Sequence, residues 1–141
     1  MRLGHLSKNN HLILQYYTQQ SVITDPSSYS SFFENLPQDL PSLVKTVQGL
    51  LISLPWEDAY GLDTPRERQK EIYLRTVPEM LKCILELDPS PLTLTRIPQR
   101  RKVSLCRDFA VLLVSILRHQ NVPARVRVGF AGYYRAETPR Y

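Results

Sequence analysis

Residues 104–134 read SLCRDFAVLLVSILRHQNVPARVRVGFAGYY, from Ser104 to Tyr134. From Phe109 to Leu117 nearly every side chain is apolar. A helix apolar on all sides belongs inside a domain, wrapped by other elements. Ser104 is a candidate N-cap, because its hydroxyl can accept from an orphan backbone N–H. Asp108 puts negative charge in the first turn and Arg118 and His119 put positive charge in the last, both favoured by the helix dipole. Asn121 and Pro123 end the helix. The alternation of Ala124, Val126, Val128 and Phe130 with Arg125, Arg127 and Gly129 predicts a strand over 124–134. A buried helix followed by a strand gives a fold that mixes helices and strands.

Cys106 then falls in the first turn of the buried helix. Unpaired N–H groups and the positive dipole end favour a thiolate there, as do Arg107 and the upstream Arg100, Arg101 and Lys102. The same N–H groups suit a developing oxyanion. This is a common mount for a cysteine nucleophile. The competing reading is a small buried hydrophobe, the usual fate of a free cysteine.

The stretch from Cys106 to Tyr134 resembles the core of the transglutaminase-like superfamily. Cys106 matches the nucleophile, and Arg107, Asp108 and Phe109 match residues that often follow it. Val122-Pro123-Ala124-Arg125-Val126 matches the family's turn from helix to strand. Upstream, Ile23-Thr24-Asp25-Pro26, the run 47–52 and Ala59-Tyr60-Gly61 are similar to a bacterial-type subgroup, so the resemblance reaches back to about Tyr16. It implies a papain-like α+β core, with helices packed around the nucleophile helix and a protein or peptide amide as substrate. Cys106 would attack the carbonyl carbon, a His would shuttle the proton and an Asp would orient the His. Water and an amine both remain open as the acyl acceptor.

That His and Asp are implied on strands following the one predicted here, and the sequence reaches Tyr141 without them. None of His5, His11 and His119 matches. His119 is thirteen positions beyond Cys106 on the same helix, roughly 20 Å away at 1.5 Å per residue. The expectation is therefore the N-terminal part, residues 21–141, of a truncated transglutaminase-like domain behind a flexible leader, residues 1–20, inactive as it stands. The strand over 124–134 points the same way, since nothing before it offers a clear pairing partner.

The 141 residues suit one domain, and 43% hydrophobic content suffices for a core. Two cysteines, Cys83 and Cys106, form no C-x-x-C pair and no His/Cys cluster, which argues against a zinc site, a cofactor or a disulfide framework and for a reducing, cytoplasmic setting. Cys83, between apolar neighbours, reads as core. Nothing approaches the roughly 20 apolar residues of a membrane span. Residues 96–141 hold ten Lys and Arg against two acids, while residues 1–95 hold eight against eleven. A basic half can mark a non-catalytic module for an acidic partner. It can also mark a chain whose missing portion balances the charge, the preferred reading. The arginines are not interleaved with stacking aromatics, which argues against nucleic acid.

Elsewhere the pattern is helical. Residues 11–17 are a weak helix. Asp25 caps and Pro26 opens a helix carrying Tyr29, Phe32, Phe33 and Leu36. Asp39 and Pro41 open the next, with a stripe of Leu40, Leu43, Val44, Val47, Leu50 and Leu51. Trp56, Ala59, Tyr60 and Gly61 form a turn whose aromatics could line a substrate cleft; packing of the helix ends is the preferred reading. Thr64-Pro65-Arg66-Glu67 reads as a capping box that starts a long helix to about Leu87, kinked by Pro78 near Leu74. Tyr73, Val77, Met80, Leu81 and Ile84 form its buried stripe. Residues 92–103 are a basic connector with a possible strand at 92–95; Arg100, Arg101 and Lys102 read as a solvated run by default, with a phosphate patch or support for a thiolate as the alternatives.

Overall fold

A computed structural model describes residues 3–130, with side chains from residue 8 onward. Three helices carry the core: α2 (Leu40–Leu50), α4 (Val77–Leu87) and α5 (Cys106–His119). Their facing residues Leu43, Val47, Leu50, Met80, Leu81, Ile84, Leu112 and Ile116 are at most 3% exposed. Helix α5 is enclosed as its composition predicts, for no residue from Arg107 to Arg118 is exposed. A short 3₁₀ helix, Ser27–Phe33, replaces the α-helix expected there and drives Phe33 into the same core. Asp25 caps it by an Asx-type bond, accepting from Ser27 N at 2.8 Å. Before it, α1 (Leu3–Tyr16) extends the weak helix back through the stretch expected to be a frayed leader.

Two strands follow a pattern the sequence concealed. β1 (Leu51–Ser53) continues directly from α2, and β2 (Lys102–Ser104) leads into α5. They pair in parallel, Leu51 with Lys102, Ile52 with Val103 and Ser53 with Ser104. The mixed α+β class therefore holds, with a sheet of two short strands. Residues 124–130 form no strand among the described residues, which corrects that expectation over its described part. Residues 131–134 lie outside the described residues. The reason is local. The N–H of Ala124 bonds Tyr17 O at 3.1 Å and its carbonyl accepts from Arg118 Nε at 2.8 Å, so the segment turns toward α1 and away from the sheet.

The long helix expected over 64–87 is broken. α3 (Arg66–Gln69) passes into a 3₁₀ turn, Lys70–Tyr73, and α4 starts afresh after Thr76. Pro78 stands in the first turn of α4, where a missing N–H costs nothing, so it kinks no helix. The true capping box is Thr76-x-x-Glu79: Glu79 Oε2 accepts from Thr76 N at 3.0 Å, and Thr76 Oγ1 faces Glu79 N at 3.5 Å. Tyr73 leaves the buried stripe and is 68% exposed. Leu94 and Thr95 lie in an irregular connector, with no strand at 92–95. Among the described residues no helix is long and apolar enough to cross a membrane.

Candidate active site

β2 ends at Ser104, Leu105 is extended, and α5 begins at Cys106. Cys106 is exposed, so the buried-hydrophobe reading does not hold. The N–H groups of Cys106 and Arg107 open the helix and have no intrahelical acceptor. That of Asp108 turns back to Leu105 O at 2.9 Å. Ser104 is not the cap. As the last strand residue it points into the sheet face, accepting from Lys102 Nζ at 3.2 Å and donating to Lys102 O at 3.1 Å. Leu105 takes the cap position, and since leucine has no acceptor, only half a capping box forms: Asp108 Oδ2 accepts from Leu105 N at 3.0 Å.

Asp108 is two residues from Cys106, roughly 200° around the helix. One side chain therefore faces solvent while the other is 1% exposed. Beneath Asp108 lies Lys102, 0% exposed, which corrects its reading as a solvated cation. Alternation in β2 turns Lys102 and Ser104 to one face and Val103 to the other. Lys102 Nζ has three donors and three acceptors: Val103 O at 3.1 Å, Ser104 Oγ at 3.2 Å and Asp108 Oδ2 at 3.4 Å. Burial pushes the Lys102 ammonium below its ordinary range, opposed by the attraction of Asp108. The other Asp108 oxygen accepts from Arg107 Nη1 at 3.3 Å, and Arg107 Nη2 donates to Arg75 O at 2.9 Å. The first turn of α5 is thereby tied to β2 and to the turn before α4.

On the opposite sheet face, Val103 and Ile52 floor a cavity of about 350 Å³ that Leu62, Pro65, Arg68 and Pro98 also line. Arg68 is held by Glu71, at 2.7 Å from Nε to Oε1, and by the carbonyls of Gln99 and Arg101. Glu71 also takes the N–H of Val103 at 2.7 Å, sealing the outer edge of β2.

The two histidines whose side chains are described stand elsewhere, and the side chain of His5 lies outside the described residues. His119 packs edge-on against Phe33, with ring centroids 5.5 Å apart, and His11 lines a surface groove with Asn121 and Pro123. Both mark the far end of α5 from Cys106. No cluster of His, Cys, Asp and Glu suited to a metal occurs among the described residues. Cys83 is half-buried, its thiol pushed up to about 11, chiefly by burial. Trp56 and Tyr60 are each 51% exposed, so neither is sealed into the helix ends as expected.

The sequence reading missed Lys102 and Ser104, though a signal for them exists. Asp108 shares a helical face with Val111, Leu112 and Ser115, so a carboxylate was bound to be buried and to need a cation. Compared with family models, curated proteins and solved structures, the chain matches none.

Proposed function

We propose that the chain carries the nucleophile side of a transglutaminase-like cysteine acyl-transfer domain acting on amide or peptide bonds. The observation that carries this reading is Cys106 itself, exposed on the first turn of an otherwise enclosed helix. In the proposed step the Cys106 sulfur attacks the carbonyl carbon and forms a thioester. The C–N bond breaks, and the amine leaves with a proton from a general acid. Water or a second amine then takes the acyl group and frees the thiol. Backbone N–H groups at the start of α5 would stabilise the oxyanion. His11 and His119 both stand at the wrong end of α5, so a histidine base would come from outside residues 8–130.

The alternative is a basic half that binds an acidic partner; against it, Arg96, Arg101, Arg107 and Arg118 each donate at least one N–H to a carbonyl oxygen of this chain.

The test is acylation by p-nitrophenyl acetate, read by peptide mass mapping. Cys106 in the folded chain is expected to acetylate about tenfold faster than Cys106 in the urea-unfolded chain at the same pH. An equal or slower rate in the folded chain overturns the reading.

A further inference from the structure

Asp108 presents a puzzle of charge. Its carboxylate holds the N–H of Leu105 and so fixes where α5 begins. The same carboxylate places a negative charge two residues from the sulfur that should become a thiolate. Left uncompensated, it would oppose the positive end of the helix. Arg107, 3.3 Å from Asp108 Oδ1 and partly exposed, offsets part of it, and Lys102 compensates it from the buried side. Its ammonium is fully buried, all three donors are used, and Asp108 Oδ2 is its only carboxylate acceptor, at 3.4 Å.

A buried ammonium is costly and is a weak source of net stability even when paired. Its position therefore invites a reading beyond packing. The other groups that act on it are Glu71 and Cys83. Glu71 is committed to Arg68 and to the N–H of Val103, and Cys83 holds its proton up to about 11. Lys102 is thus left to answer Asp108.

We infer that Lys102 and Asp108 are positioning residues for Cys106: the carboxylate sets the start of α5 and the buried ammonium cancels its charge, so that the sulfur faces the positive helix end. This rests on the nucleophile reading for its purpose, but its electrostatics are separately measurable.

The experiment compares iodoacetamide alkylation of Cys106 at pH 7, resolved by peptide mapping, in the full chain and its variants. Asp108→Asn keeps an acceptor for Leu105 N–H and leaves Lys102 positive; alkylation is expected to rise about threefold or more. Lys102→Met leaves Asp108 negative; alkylation is expected to fall by a similar factor. The double variant, neutral at both positions, is expected within twofold of the wild type. If one single variant unfolds, which alkylation of Cys83 would reveal, the shift of the other single variant carries the test. Shifts of both single variants in one direction, rates within twofold throughout the folded variants, or a double variant far from wild type would overturn the inference. Opposite shifts alongside a failed acetylation test would leave the electrostatics standing and the acyl-transfer reading fallen.

Discussion

Gly49 stands in the last turn of α2, where propensity alone would favour alanine by about 1 kcal/mol. The connector explains the glycine. Arg96 N bonds Gly49 O at 3.0 Å, which draws Thr95 onto the helix. A Cβ at Gly49 would lie 2.9 Å from Thr95 Oγ1 and 3.2 Å from Thr95 Cα. The side chain can swing away, but the backbone is pinned by that hydrogen bond. Gly49→Ala is therefore expected to destabilise by about 1–3 kcal/mol, as overpacking does, measured as a lower urea midpoint. A gain in stability would mean the connector yields freely. Arg96 makes yielding difficult: 2% exposed, it gathers the carbonyls of Asp88, Ser90, Pro91 and Leu94.

At the scale of elements, α4 owes its separate start to Thr76 and Glu79. Thr76→Ala removes a hydroxyl that donates to Glu79 Oε2 at 2.8 Å and faces the N–H of Glu79. It should cost about 1 kcal/mol and lower the melting temperature by about 4 °C. The backbone N–H and hydroxyl of Thr76 hold the Glu79 carboxyl below its ordinary range. A depressed carboxylate stabilises the fold above the unfolded value near 4.5 and loses that contribution as pH falls through the folded one. The cost of Thr76→Ala should therefore be smaller at pH 3 than at pH 7.

Most of the core stripes of α2 and α4 and the cap at Asp39 were legible, because helical spacing and caps are local signals; Leu40, at the stripe's first position, is 53% exposed instead. Asp39 Oδ2 takes Ser42 N at 2.9 Å, as its place before Pro41 foretold. The break before α4 was not legible, since two N-terminal signatures, at Thr64 and Thr76, compete and only packing selects between them. The strands were hidden by their length: three residues give no readable alternation, and Leu51 merges with the stripe of α2. Ser115 was legible only as helix. Its bond to Thr24 O at 2.5 Å, latching the N-terminal loop to α5, depends on residues ninety-one positions apart.

For the molecule as a whole, several arginines of the second half serve the fold. Arg96, Arg101, Arg107 and Arg118 bind backbone carbonyls of the chain, a need that arises wherever helices and strands are brief. Two groups shifted by burial set the alkaline response. Cys83, raised from 9.0 to about 11, keeps its proton in the fold after the unfolded chain has lost it, so stability falls as pH rises from 9 towards 11. Lys102, lowered from 10.5, sheds its proton early in the fold, so it contributes the opposite slope below 10.5. Cys83→Ala should therefore flatten or reverse the alkaline loss in urea midpoint between pH 9 and 10.5. An undiminished loss would place its origin elsewhere.

The register of the sheet also governs how the chain is made. Leu51 pairs with Lys102, so the first strand leaves the ribosome 51 residues before its partner. At about 5–20 residues per second, that is a wait of several seconds. Throughout it the nascent chain holds a helix with an unmated apolar tail, and the setting of Cys106 does not yet exist. The thiol therefore finds its place in the same event that closes the sheet.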